Sequence, residues 1–324
     1  MRDRVGDEEI QHTSESALLT AGWRAMESAR SDALFHDPLA AGLAGERGLR
    51  IAKTVPAGAW AVAIRTVLID AFVQSAISSG IDTVINLGAG LDTRPCRMHL
   101  PSSLHWVEVD YPSLMEGKTA NLSSEVPMCS IERIGLDLTE VDARRRLFDR
   151  IWMTSRRAMV LMEGVLGDLN VHEAGELADD LRSQPGCESW VIDYFSPRLL
   201  VGYQKHQPHG SVPVRFDPPS WEAFMTEHGW RIKEIRFIGE ESERLHRPVP
   251  LSRLDKIMRL FTSRPLRDMG YARIGRVPCG RGRALHERPR RSTSHAQERN
   301  ALASHIKRSV TRFHLGAGSP RQLA

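Results

Sequence analysis

Asn86-Leu87-Gly88-Ala89-Gly90-Leu91-Asp92-Thr93-Arg94 follows the apolar run Thr83-Val84-Ile85, and an acidic residue, Asp110, stands twenty positions beyond Gly90. This is the layout of a strand-to-helix turn that receives a nucleotide cofactor. Glycines at Gly88 and Gly90 let the backbone turn tightly and let a ligand approach it. Asp110 falls where a second strand should end, placed to bind ribose hydroxyls. The dinucleotide form of this turn needs a third glycine three residues after the second, and that position is Thr93. A pyrophosphate cofactor is therefore disfavoured against S-adenosylmethionine, which carries no phosphate.

Outward from the turn, short apolar runs alternate with helical stretches. The runs Thr83–Leu87, His105–Val109, Ser130–Ile134, Ala158–Met162 and Ser189–Tyr194 read as strands, with helices such as Val171–Arg182 between them. That alternation predicts an α/β fold with a mostly parallel sheet covered on both faces. Trp230–Ile238 and Tyr271–Val277 read as two further strands. Ser220–Gly229 reads as a helix capped by Ser220 and stopped by Gly229, and Leu251–Arg259 as another.

Upstream, residues 14–79 follow a helical pattern. Ser14 and Ser16 are expected N-caps, Leu18, Leu19, Trp23 and Met26 recur at helical spacing, and Asp37-Pro38 is expected to start a second helix. Val62 to Ile77 continues the pattern to a stop at Gly80. Residues 195–219 hold five prolines among several His and Gly, which predicts a long loop or lid.

At 324 residues and 41% hydrophobic content, the chain can bury one substantial core with additions. Apolar runs such as Trp60–Ile64 and Met159–Met162 are far shorter than the roughly 20 residues that cross a bilayer, so no membrane span is expected. The mixed-charge segment Arg2–Ile10 lacks the apolar centre of a secretion signal. Cys96, Cys129, Cys187 and Cys279 are scattered without metal-ligand spacing, so a reduced, cytoplasmic chain without a structural metal is expected.

The net charge of +4 is unevenly placed. Residues 276–324 hold eleven Lys or Arg against two Glu, a net +9, so the other 275 residues carry −5. Few large apolar residues accompany the basic ones, as in Arg288-Pro289-Arg290-Arg291-Ser292-Thr293-Ser294. Such a segment cannot bury enough surface to offset chain entropy, and a disordered, solvated tail is expected rather than a nucleic-acid-binding one. The predicted divisions are a helical cap over 1–79, a Rossmann-like core over 80–277 with its insert near 195–219, and the basic tail over 278–324.

In a parallel sheet, ligands bind beyond the carboxyl ends of the strands. Gly88, Gly90 and Asp92 follow the first strand, Asp110 the second, Asp137 the third, and Glu163 and Gly164 the fourth. Asp and Gly also favour ordinary turns and caps. Their recurrence at successive strand ends singles these residues out.

Asn86–Arg94, Glu108-Val-Asp-Tyr-Pro112 with Lys118, Gly135-Leu-Asp-Leu138, Glu163-Gly-Val-Leu166, and upstream Arg24-Ala-Met-Glu27 with Asp37-Pro38 together resemble the leucine carboxyl methyltransferase family, from about Ser14 to about Ile238. Within it the bacterial polyketide carboxyl O-methyltransferase branch, of the tetracenomycin type, is most similar. The resemblance implies a class I S-adenosylmethionine-dependent methyltransferase fold, with a mostly parallel seven-stranded sheet and an N-terminal helical extension. It implies that Gly88, Ala89 and Gly90 approach the methionine part, that Asp110 binds the ribose, and that Asp137 and Leu138 meet the adenine. Glu163 is implied near the methionine amino group, and Arg65, helped by Arg24, near its carboxylate, a task suited to a guanidinium fork. The family often carries a tyrosine and leucine after Glu-Gly, where this chain reads Gly167-Asp168-Leu169 and lacks the tyrosine.

The implied activity is O-methylation of a carboxylate on a small or polyketide-like secondary metabolite. Arg198, Tyr203, Lys205, His206 and His209 are candidates to hold that carboxylate. A phenolic acceptor would need a base, with His172 and His206 as candidates. A cofactor-fold binding module with a nucleic-acid-binding tail is the reading from another class; a dehydrogenase is argued against by Thr93.

Overall fold

The computed structural model describes residues 2–196, 199, 214–248 and 267–277, with 2–14 and 57 as backbone alone. The chain divides into two units, Met1–Val277 and Pro278–Ala324. The second unit, and with it the expected disordered tail, lies outside the described residues, as do the Leu251–Arg259 helix and most of the 195–219 insert.

Three helices come first: α1 (Arg2–Ser28), α2 (Ala40–Thr54) and α3 (Ala57–Ser78). The strands are β1 (Thr83–Leu87), β2 (His105–Asp110), β3 (Ser130–Gly135), β4 (Ala158–Met162), β5 (Cys187–Phe195), β6 (Trp230–Phe237) and β7 (Met269–Arg276). Between them run α4 (Arg94–Arg97), α5 (Pro112–Asn121), α6 (Val141–Trp152), a 3-10 turn (Leu166–Asp168), α7 (Val171–Ser183), α8 (Trp221–Glu227) and α9 (Ile238–Arg244).

The strands form one sheet in the order β3-β2-β1-β4-β5-β7-β6, parallel from β3 through β5 and antiparallel on both sides of β7. Every residue of β1 and of β4 is buried, which is why each reads as a continuous apolar run rather than an alternating one. The edge strand β6 instead carries Arg231, Lys233 and Arg236, charges that discourage pairing with another chain. One face of the sheet packs on Leu147, Phe148 and Ile151 of α6, Leu177 and Leu181 of α7 and Trp221 and Phe224 of α8. The other packs on Ile64, Leu68, Phe72 and Val73 of α3.

Two expectations are corrected. Ser14 and Ser16 cap nothing, because α1 continues N-terminally through Arg2–Thr13, a polar stretch with few helix breakers. The second helix starts at Ala40, where the Asp37 carboxylate accepts the Ala40 N–H at 3.1 Å; Pro38 lies in the preceding turn. By length and composition alone Gly58–Ser78 is long and apolar enough to cross a bilayer, a test that a core helix also passes. The shorter runs within α3 concealed this because Arg65 and Asp70 interrupt them. In this fold α3 is a core helix, its apolar side chains packed against the sheet.

Candidate cofactor-binding site

Strand register sets the site. Leu87 lies opposite Val109 on one side and Met162 on the other, and Val109 lies opposite Ile134. The next residues, Gly88, Asp110, Gly135 and Glu163, therefore line one rim of the sheet.

At the centre of that rim the turn after β1 holds Gly88 at φ +67° and Gly90 at φ +46°, the left-handed region that favours glycine. A Cβ on Gly88 would also lie 2.1 Å from Val165 Cγ2. Gly88 and Ala89 donate their N–H groups to Val109 O at 2.8 and 3.1 Å, closing the turn against β2. Gly90 N–H donates to Asp110 Oδ2 at 2.7 Å, and Tyr111 N–H donates to Asp110 Oδ1 at 2.7 Å. Each Asp110 oxygen keeps a further lone pair, which suits it to a ribose diol. Burial pushes the Asp110 carboxyl above its ordinary range, with the Gly90 and Tyr111 hydrogen bonds and the Lys118 charge pulling against it.

Beside the turn, opposite charges meet at the end of β4. Arg65 Nε from α3 lies 2.6 Å from Glu163 Oε1. Arg94 Nη1 donates to Glu163 Oε2 at 3.0 Å and to Asp92 Oδ2 at 2.9 Å, while Arg94 Nε donates to Asp70 Oδ1 at 2.7 Å. Arg97 adds two hydrogen bonds of 2.8 Å to Asp70. Burial opposes the Asp92 charge, yet Arg94 and Lys118 outweigh it and hold the carboxyl well below the usual range. Burial likewise opposes the Arg65 charge, and Glu163, Tyr271 and Asp193 outweigh it and raise its pKa above the ordinary value.

The remaining expected residues are placed by different contacts. Arg24 donates to Asp37 Oδ2 at 2.9 Å and to Leu91 O at 2.6 Å, so it ties α1 to the back of the glycine turn. Thr93 Oγ1 donates to the same Asp37 oxygen at 2.7 Å, which gives the residue in the place of a third glycine a defined task. Leu136 N–H donates to Asp110 O at 2.8 Å and brings the end of β3 to the site. Just beyond, Asp137 Oδ1 accepts Thr139 N–H and Thr139 Oγ1–H at 2.9 and 2.8 Å, and half-buried Leu138 packs on the core. His172 is exposed in the first turn of α7. Arg198, Tyr203, Lys205, His206 and His209 lie outside the described residues.

The sequence carries little signal for the network around these residues: Asp70, Arg94 and Arg97 on one side, Asp193 and Tyr271 on the other. Arg94 stands within the opening motif, but nothing in spacing shows that it gathers three carboxylates. Asp193 had a signal of its own, an acidic residue inside the apolar strand Trp190-Val-Ile-Asp-Tyr.

A profile of the leucine carboxyl methyltransferase family matches residues 17–181, just over half of the chain and the part that builds this rim. The chain belongs to that family. A relative from Parafrankia sp. (strain EAN1pec), which carries the name of an S-adenosyl-L-methionine-dependent methyltransferase, is 30% identical over 258 residues, 72% of this chain and 82% of its own length. A second relative with that name, from Frankia alni, is 28% identical over 273 residues, 77% of this chain and 95% of its own. A solved DUF574-family protein from Streptomyces avermitilis is 14% identical, with a TM-score of 0.49 over 80% of this chain and 97% of its own. In this family member the rim offers the groups that S-adenosylmethionine requires. The buried Arg65 Nε has no hydrogen bond of good geometry, Glu163 and Arg65 present opposite charges to a zwitterion, and Gly164 leaves room beside them.

Proposed function

We propose that this chain is an S-adenosylmethionine-dependent O-methyltransferase acting on the carboxylate of a small or polyketide-like metabolite, within the tetracenomycin-type branch of its family. The observation that carries the donor half is the Arg65–Glu163 pair at 2.6 Å, set beside the Gly88–Gly90 turn and Asp110. A zwitterionic amino-acid end can exchange with such a pair, its carboxylate toward Arg65 and its ammonium toward Glu163. Asp110 takes the ribose, and Asp137 Oδ2, which has no partner among the described residues, takes the adenine amino group.

When bound, the cofactor supplies a methyl group activated by its own sulfonium charge. A carboxylate acceptor is ionised at neutral pH and needs no base. The protein then has to hold the acceptor oxygen in line and limit water, which is a task of placement. The free thiols of Cys96, Cys129 and Cys187 support a reducing, cytoplasmic setting.

The test is to incubate the purified chain with methyl-labelled S-adenosylmethionine and an extract of its host, followed by mass spectrometry. A labelled product that loses its methyl group in mild base is an ester, as expected. A base-stable aryl ether would overturn the carboxylate assignment and favour a phenol.

A further inference from the structure

On the face of the sheet that packs against α3, two buried residues converge on the Arg65–Glu163 pair from strands far from the glycine turn. Asp193 of β5 and Tyr271 of β7 are direct cross-strand partners. Their side chains are 2% and 0% exposed as whole residues. Asp193 Oδ2 accepts the Gly164 N–H at 2.8 Å, and Gly164 sits at φ +78°, so this hydrogen bond fixes the turn that aims Glu163. The Tyr271 hydroxyl is buried without a hydrogen bond of good geometry, and the electrostatic influence of Asp193 and Tyr271 reaches Arg65.

Charge explains why the site needs them. The Arg65 side chain, half-buried with its Nε fully enclosed, rises from the apolar helix α3, and its ion-pair partner is Glu163. If Glu163 turns to the ammonium of a bound amino acid, its turn has to hold its place without the Arg65–Glu163 contact. Asp193 answers that need because it does not move with the ligand: from its buried strand it accepts the backbone N–H of Gly164.

We infer that Asp193, supported by Tyr271, is a positioning residue for the methionine end of the cofactor: it fixes the Gly164 turn and leaves Glu163 free to exchange. The inference rests on the proposed cofactor reading. It adds two residues that touch neither the glycine turn nor Asp110. The charged and titratable groups that face Asp193 are Arg65 from α3, Tyr271 from β7 and Glu163 from the end of β4.

Calorimetric titration of the full chain with S-adenosylmethionine across pH 5 to 8 tests it, using wild type, Asp193→Asn and Tyr271→Phe, each checked for folding by circular dichroism. Asp193→Asn keeps the size and an acceptor for Gly164 but removes the charge, and should weaken binding by about tenfold or more. Tyr271→Phe should weaken it by about threefold. It should also move the acid limb of binding to higher pH, because the hydroxyl favours the ionised carboxylate and its loss lets Asp193 protonate sooner. A merely structural tyrosine would leave that limb in place. Wild-type binding with both variants within twofold and an unmoved limb overturns the inference alone. A wild-type chain that does not bind overturns the cofactor reading and the inference with it. Should Asp193→Asn fail to fold, the Tyr271→Phe limb decides.

Discussion

Single residues carry the site through backbone geometry as much as through side-chain chemistry. Gly88 combines a left-handed φ with a neighbour, Val165 Cγ2, that would sit 2.1 Å from any Cβ. Gly88→Ala should therefore cost about 2–4 kcal/mol in chemical denaturation. Gly42 is the contrast: it lies in a helix with nothing within 4 Å of a Cβ. Gly42→Ala should stabilise by about 0.5–1 kcal/mol, the usual helical cost of glycine. Equal effects at the two positions would contradict the geometry assigned to the turn. At this scale the sequence was legible where one residue type answers one need, as with Gly88, Gly90 and Asp110. It was silent on Arg94, whose three carboxylate partners lie 2, 24 and 69 positions away along the chain.

Elements meet through buried charge as well as apolar contact. Lys118 of α5 lies 2.8 Å from Glu108 Oε1 of β2, both side chains 0% exposed, and Arg133 of β3 lies 3.0 Å from the other Glu108 oxygen. This triad fixes one helix over two strands at the edge where the adenine would lie. Lys118→Met should cost about 3 kcal/mol, since it leaves Glu108 buried with only Arg133 to balance it. Burial already pushes the Glu108 carboxyl up, against the pull of Lys118. Without Lys118 the folded-state value rises further, so the lost stability is largest at neutral pH. The deficit should shrink as pH falls through the raised folded-state values, below which the carboxyl is neutral in both folded proteins. Thermal melts of both proteins from pH 8 to pH 4.5 read this directly; a constant deficit would assign the loss to packing alone. The strands were legible because β1 and β4 are buried on both faces and leave unbroken apolar runs. Helix α1 was less so: with no sharp cap to mark its start, its continuation to Arg2 has no local signal.

For the whole molecule, charge and fold are distributed differently. Residues 278–324 carry a net +8, so a chain ending at Val277 goes from +4 to −4. All of the rim residues belong to the first unit, Met1–Val277. Truncation at Val277 should leave cofactor affinity within about twofold while abolishing any salt-dependent retention on heparin. Loss of cofactor binding in the truncated chain would place part of the site beyond Val277.

The central claim is that the rim of β1, β2 and β4 binds S-adenosylmethionine through Asp110 and Glu163. Calorimetry of the wild-type chain, Asp110→Ala and Glu163→Ala against that ligand tests it most directly. The account predicts saturable wild-type binding, weakened by about tenfold or more in each variant, the loss of at least one charge-assisted hydrogen bond. Binding unchanged in both variants would contradict it.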